Sequence, residues 1–417
     1  GINTNEPKTK LIKNIPGSKS ILQRMLVLAA HAKADIRLLN YNPCMDVLEL
    51  EQALKVYGYQ ITEIENGKAF CFIESAHQQS RHIYEFHNSA TGFRLWLSLL
   101  ANLQAFPSQI RVSELLLKRG FAPLISVLEE MGAAFQQNAG EIRIQPALLT
   151  GGKHILCGSI SSQYHSSLLL AAPFMQRELS LEISFHQVSK PYIQLSAQML
   201  KQFGAEIIAT DKALNVNAGD FRLPEEFWVD ADLSTAAFYV VWGALMPEGL
   251  KLELKINPQL SQADYAIFPI LAEMGLQITW ENEICTVKPA KLYGASLNLS
   301  NTPDLMPILS ILALFCSTPT TLYGIGRLAH KESNRVLGIV QAFKLLNIQY
   351  KLAPDELTIY PLGNRQLPAQ QLDTCSDHRL VMAFSLLKYR FDQIELKESQ
   401  SIEKSLPLKM WQGPQLQ

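Results

Sequence analysis

No two cysteines in this 417-residue chain stand as Cys-x-x-Cys; Cys44, Cys71, Cys157, Cys285, Cys316 and Cys375 are scattered along it. That spacing argues against a zinc site or a disulfide framework and fits reduced thiols. No apolar run reaches membrane-spanning length, and the first fifteen residues lack a signal-peptide core, so the expected setting is soluble and cytoplasmic. Neither sign of charge dominates. A formal net charge of −1 speaks against nucleic acid or a membrane surface as partner, so any anion must be met by local clusters of Lys and Arg. The Gly-x-x-x-x-Gly-Lys spacing of a P-loop is missing as well.

Apolar residues are plentiful. At 47% hydrophobic, the chain is too long for one ordinary core and rich enough for two. It also repeats itself. A helix tail ending in Gly or Asn and running into a strand recurs at Gly58, Gly132, Gly204, Gly275 and Asn347, about 70 residues apart each time. The residue after a helix often needs the left-handed conformation, which explains the residue type. Out of phase with these lies a second series of polar or acidic openings, each followed by a long run of small and apolar residues. The six openings are Ser18-Lys19-Ser20, Asn88-Ser89-Ala90-Thr91, Ser161-Ser162-Gln163, Asp232-Leu233-Ser234, Asp304-Leu305-Met306 and Asp377-His378-Arg379. Apolar nearly all round, the runs read as buried helices, with short β-rich runs such as Ile142–Ile144 between them. Such a unit is too large for a solenoid repeat. It suits two pseudo-threefold domains of three units each.

If the buried helices of a domain run parallel, their positive N-terminal ends collect at one face. Two such faces opposed across a cleft would hold a multiply charged anion. The stretch Pro16-Gly17-Ser18-Lys19-Ser20-Ile21-Leu22-Gln23-Arg24 is the clearest opening: a strand stop, a Ser cap and two cations one turn apart. Taken alone, it is more often the signature of a solvated helix end. Further polar clusters stand at Asn88 to Arg94, Lys118-Arg119-Gly120 and Ser189-Lys190-Pro191-Tyr192. In the second half the openings carry acid and base together: Asp304, Lys331-Glu332-Ser333-Asn334-Arg335, Asp377-His378-Arg379 and Lys404. Carboxylates that move protons and cations that hold charge suit acid–base chemistry on an anion. Asp304 and His378 each also fit a purely structural reading.

At these residues the sequence resembles the 5-enolpyruvylshikimate-3-phosphate synthase family. Seven motifs come in the family's order over nearly the whole chain: residues 16–24, 88–94, 161–163, 189–192, 331–335, 377–379 and Lys404-Ser-x-Pro407. The resemblance implies a two-domain inside-out α/β barrel, each domain three βαβαββ-type repeats with pseudo-threefold symmetry. It places residues 17–230 in one domain, mainly for shikimate 3-phosphate, and 1–16 with 231–417 in the other, with the catalytic carboxylates and the phosphoenolpyruvate-binding cations. The implied reaction moves the enolpyruvyl group of phosphoenolpyruvate to the 5-hydroxyl of shikimate 3-phosphate and releases phosphate, without metal or organic cofactor, in a monomer. Carried over by position, Lys19, Ser20, Arg24, Ser161, Ser162, Gln163, Ser189, Asp304 and Lys331 contact shikimate 3-phosphate. Lys19, Ala90, Arg119, Gln163, Arg335, Arg379 and Lys404 contact phosphoenolpyruvate, while Asp304, Glu332 and Lys19 are catalytic.

Four positions depart from the family pattern. Ser89-Ala90 replaces the usual Ala-Gly, which puts a methyl where backbone would approach phosphoenolpyruvate and is expected to lower sensitivity to glyphosate, the family's inhibitor at that site. Arg327 stands where many members have Asn, and Asn334 where many have Asp. Two other readings remain. The sister transferase acting on UDP-N-acetylglucosamine uses a loop cysteine near the position of Lys118-Arg119, where this chain has none, and a Lys-Asn pair where it has Lys19-Ser20. A non-catalytic anion-binding protein on the same scaffold would have no need to retain Lys19, Arg119, Asp304, Glu332, Arg335, Arg379 and Lys404 together.

Overall fold

Each polar opening leads into a buried helix in the computed structural model, which describes residues 9–78, 82–102, 107–156, 162–183, 190–210, 212–331 and 333–417. Cys157, Ser161, Ser189 and Glu332 lie outside the described residues, as does the side chain of Arg327. The six helices are Lys19–Ala32, Ala90–Ala101, Ser162–Ala171, Leu233–Leu245, Met306–Leu312 and His378–Arg390. Among the described residues four carry a side-chain cap: Ser18 accepts from Ile21 N, Ser89 from Gly92 N, Asp232 from Ser234 N and Asp377 from Arg379 N. Each cap satisfies an amide that the first helical turn leaves without a partner. The fifth helix differs. It is entered through a 3-10 turn, Pro303–Leu305, with no side-chain cap, so the Asp304 carboxylate does not serve as one.

The chain divides into two units. One comprises Gly17–Asp230 with Asn257–Gln262; the other comprises residues up to Pro16, Ala231–Ile256 and Ala263–Gln417. Each has its own hydrophobic core, and in each the three buried helices pack on one another. All-round apolarity is why they are central: in Leu233–Leu245, every residue but Ser234 and Leu245 is buried.

Sheets flank these helices with one face toward the core, as the alternating burial of Ser108–Val112 and Glu141–Gln145 shows. Every four-stranded sheet is built alike, a parallel pair extended by an antiparallel hairpin. In the first unit, His82–Phe86 runs parallel to Ser108–Val112, with His82 opposite Ser108, and Glu141–Gln145 and Ala134–Asn138 complete the sheet. A parallel pair needs a crossover, and the helix Ala90–Ala101 provides it. The short N-terminal strand Lys10–Ile12 pairs in parallel with Leu250–Glu253, and so belongs to the second unit although the chain then goes on to build the first. The sixth repeat is reduced. Among the described residues, Gln370–Asp373 and Ile394–Lys397 form a two-stranded parallel sheet, followed by 3-10 turns at Ser399–Lys404 and Leu408–Met410.

All five residues read as helix stops have positive φ: Gly58 at 131°, Gly132 at 114°, Gly204 at 100°, Gly275 at 106° and Asn347 at 56°. At Gly204 a side chain is excluded twice over, because a Cβ would also collide with the Asp220 carbonyl. Among the described residues no helix is long and apolar enough to cross a membrane, and Cys44, Cys71, Cys285, Cys316 and Cys375 are free thiols.

Candidate active site

In the Gly17–Asp230 unit, side chains stitch the starts of the three buried helices together. Gln23 Nε2 donates to Ser89 Oγ at 3.1 Å, joining the first helix to the second. Gln163 donates to Thr91 Oγ1 at 2.7 Å and accepts from Arg94 Nη1 at 2.6 Å, joining the second to the third. Arg24 Nη2 reaches Ser166 Oγ at 3.2 Å, joining the first to the third. The three positive helix ends are therefore neighbours, as the repeat pattern predicts.

Arg24 is the central cation of this group. It is 1% exposed, and Nε and Nη1 donate to Ser196 Oγ and Ser20 O, both at 2.9 Å. Among the described residues every one of its hydrogen bonds ends on a neutral oxygen, and the Tyr192 ring lies 5.9 Å away. Burial without a counter-charge pushes its guanidinium pKa down to about 10. A phosphate would supply the missing charge. Lys19, one turn earlier, forms an ion pair with Asp46 at 2.9 Å. Ser20 is half-buried and Ser162 buried, each in the first turn of its helix.

Arg94 plays a part that the sequence did not disclose. Its Nη2 donates to Arg119 O at 2.8 Å and to Gly120 O at 3.0 Å, while its guanidinium lies over the Tyr164 ring at 5.0 Å. Burial pushes it, too, down to about 10, with Tyr164 opposing and Arg119 adding to the fall. It thus holds Gln163 and the turn that carries Arg119, a partially exposed side chain, in fixed relation to the second helix. The sequence showed only a basic residue inside a polar motif.

The second unit gathers its helix starts through ion pairs. Arg335, 1% exposed, donates from Nε and Nη2 to the two Asp377 oxygens at 2.9 and 3.3 Å and from Nη1 to Asp304 Oδ1 at 2.8 Å. Lys331 Nζ stands 3.7 Å from the same Asp304 oxygen. Asp377, fully buried, also accepts from Ser333 Oγ at 2.8 Å, and buried His378 lies 3.9 Å from it. Asp304 therefore bridges Arg335 and Lys331 and is not an N-cap, while Asn334 caps the Arg335–Leu345 helix by accepting from Leu337 N.

Arg379 is 7% exposed, and its buried Nε has no hydrogen bond among the described residues. Burial alone would lower its pKa, but the fields of Asp304, Asp232 and Asp264 outweigh that and raise it. Asp232 opens the Leu233–Leu245 helix, as its motif suggests, whereas Asp264 is a carboxylate that the sequence did not disclose. Asp264 accepts from Ser234 Oγ at 2.6 Å, and burial, together with repulsion from Asp304, pushes it up to about 6. Lys404, buried at the end of its 3-10 turn, lies on an element packed against the His378–Arg390 helix. Among the described residues no group of three or more His, Cys, Asp or Glu is placed to hold a metal ion.

The family model of EPSP synthase, 3-phosphoshikimate 1-carboxyvinyltransferase, matches residues 5–410. A protein of that name from Actinobacillus pleuropneumoniae serotype 3 is 28% identical over 406 residues, covering 94% of this chain and 93% of that protein. Its namesake from Haemophilus ducreyi is 28% identical over 413 residues, covering 94% and 92%. Among solved structures, EPSP synthase from Acinetobacter baumannii aligns with a TM-score of 0.76 at 23% identity over 96% of this chain and 94% of that one. The enolpyruvyl transferase NikO from Streptomyces tendae aligns with a TM-score of 0.75 at 16% identity, covering 96% and 92%. These likenesses give the two-domain inside-out α/β fold that the resemblance implies. With helix starts joined as the motifs require and a family match running almost from end to end, this chain belongs to the EPSP synthase family, the 3-phosphoshikimate 1-carboxyvinyltransferases.

Proposed function

We infer that this chain transfers the enolpyruvyl group of phosphoenolpyruvate to the 5-hydroxyl of shikimate 3-phosphate and releases phosphate, a step of the shikimate pathway to aromatic amino acids. The observation that carries the residue-level reading is a pair of buried guanidiniums, Arg24 and Arg379, one in each unit, at helix starts. Among the described residues Arg24 donates only to neutral oxygens, and Nε of Arg379 donates to nothing. Both substrates carry several negative charges, and such cations meet them at about 1.5–3 kcal/mol per charge-assisted hydrogen bond.

In this reading Lys19, Ser20, Arg24, Ser161, Ser162, Gln163, Ser189, Asp304 and Lys331 hold shikimate 3-phosphate. Lys19, the backbone at Ala90, Arg119, Gln163, Arg335, Arg379 and Lys404 hold phosphoenolpyruvate. The 5-hydroxyl oxygen adds to C2 while C3 takes a proton. The tetrahedral intermediate then loses a proton from that methyl, re-forming the double bond as the C2–O bond to phosphate breaks. Asp304, Glu332 and Lys19 are the groups that move these protons. The fixed charges of Arg335 and Arg379 stabilise the anion without reorganising, because the surrounding carboxylates already orient or polarise them.

Phosphate release tests the reading directly. Turnover with phosphoenolpyruvate and shikimate 3-phosphate, and none with UDP-N-acetylglucosamine in its place, is the expected result; the reverse preference, or no release with either acceptor, defeats it. A second expectation concerns Ala90, 5% exposed at the first position of its helix. Overpacking by a methyl costs about 1–3 kcal/mol, so Ala90→Gly should lower the glyphosate inhibition constant by roughly 5- to 150-fold. Equal inhibition of both forms would count against a narrowed pocket. The free thiols and the absence of a membrane-crossing helix among the described residues support a cytoplasmic enzyme; we assign it as a monomer, which sedimentation would check.

A further inference from the structure

Glu49 is a half-buried carboxylate that the reaction above does not use. It lies in the second turn of the helix Met45–Tyr57, and it reaches across to the turn that opens the Ala90–Ala101 helix. Ser89 N donates to its Oε1 at 2.9 Å, and Asn88 N lies 3.2 Å from both oxygens. A full negative charge is thus seated on two consecutive amides immediately before Ala90. The amide of Gly92 is taken by Ser89 Oγ at 3.0 Å. The helix itself supplies no partner for the amides of Ala90 and Thr91. Those are the amides a bound anion would use, and the Glu49 charge sits one residue away.

We propose that Glu49 is a specificity-determining residue that sets the affinity of this chain for phosphoenolpyruvate, by keeping a negative charge on the amides that lead into the Ala90–Ala101 helix. The proposal rests on the assignment of phosphoenolpyruvate to the Ala90 backbone made above. The contact does two opposed things. Charge-assisted bonds fix the turn at Asn88 and Ser89 and so present the helix start in one geometry. The same charge repels an incoming anion and offsets part of the attraction of the helix end.

Burial raises the Glu49 pKa from the ordinary carboxylate value; the three backbone amides of Ser89, His87 and Asn88 oppose the rise and Asp46 adds to it. The other charges nearby are committed. On its own helix, Asp46 is ion-paired with Lys19 from the neighbouring Lys19–Ala32 helix. On the adjacent strand and turn, His87 lies 3.7 Å from Glu85, which also meets Arg111 at 3.4 Å, all of them more than half exposed. On the Ala90–Ala101 helix, Arg94 is held by Gln163 and the carbonyls of Arg119 and Gly120.

The variant Glu49→Gln keeps a side-chain oxygen for the two amides and removes the charge. At saturating shikimate 3-phosphate and pH 8, it should lower the KM for phosphoenolpyruvate by roughly five- to tenfold, with kcat and the KM for shikimate 3-phosphate little changed. The ratio of wild-type to variant KM cancels the titration of phosphoenolpyruvate itself. Because the folded pKa is raised, Glu49 loses its charge as pH falls through that value, so the ratio should narrow toward one in acid. A residue that only braces the turn would give neither a lowered KM nor a pH-dependent ratio. An unchanged or raised KM, or a ratio flat with pH, overturns the proposal while wild-type turnover leaves the enzymatic reading standing. A wild type that fails to turn over at all removes both. Should Glu49→Gln melt early, Glu49→Asp gives the second arm: the shorter acid withdraws from the amides but keeps the charge, and on this account its KM stays near that of the wild type.

Discussion

Asp304→Asn is expected to lower kcat by about two to four orders of magnitude, the range that loss of a positioned proton-transfer group produces. The substitution is chosen to leave the packing alone. The amide oxygen it introduces can still accept from Arg335 Nη1, which lies 2.8 Å from the native carboxylate, and the side chain is already 16% exposed, so no new polar atom becomes buried. What it loses is the ability to take or give a proton at that place. The proposed chemical role is compatible with its position, because Asp304 caps no helix: the 3-10 turn Pro303–Leu305 carries it past the cap position and turns it toward Lys331 and Arg335. Steady-state phosphate release, with circular dichroism melting as the control, is the check. A kcat within tenfold of wild type, at an unchanged melting temperature, would show that Asp304 only holds Arg335.

Arg335→Ala should instead damage the fold. Among the described residues, Arg335 and Asp377 are the most enclosed ion pair of the second unit, with side chains 1% and 0% exposed. Among the described residues, removing the cation leaves Asp377 with Ser333 Oγ, the Arg379 amide and His378 at 3.9 Å, and takes Arg335 from Asp304, which keeps Lys331 at 3.7 Å. Breaking such a pair from one side typically costs about 3–5 kcal/mol, because an uncompensated charge stays buried. Arg335→Lys should rescue little, since one ammonium cannot make the two-pronged contact with Asp377 and still reach Asp304. Urea denaturation reports the loss. A midpoint shifted by less than the equivalent of about 1 kcal/mol would mean that the pair costs as much to bury as it returns.

The contrast between these residues marks what the sequence could disclose. Local chemistry was legible. Ser18, Ser89, Asp232 and Asp377 each announced a cap, and Gly58, Gly132, Gly204, Gly275 and Asn347 each announced a left-handed stop, because cap and stop are decided within a few residues. Their regular recurrence then gave the number of repeats. Partnerships across repeats were not legible. Arg94 meets Gln163 from 69 positions away, and Asp264 acts on Arg379 from the beginning of the second unit to near its end. Nothing local distinguishes Asp264 or Glu49 from a surface acid, and only the fold buries one within the field of the Arg379 guanidinium and brings the other onto two amides. The shortened sixth repeat was hidden for a similar reason. Its helix start, Asp377-His378-Arg379, is intact, and the missing hairpin follows it in a stretch whose polar character reads equally as strand or turn.

If a buried cation in each unit serves a different anion, paired KM measurements on Arg24→Gln and Arg379→Gln will separate the two substrates. Arg24→Gln should raise the KM for shikimate 3-phosphate at least tenfold with little effect on that for phosphoenolpyruvate, and Arg379→Gln should do the opposite, each lost contact being worth about 1.5–3 kcal/mol. Two variants that shift the same substrate, or folded variants that shift neither, would contradict it.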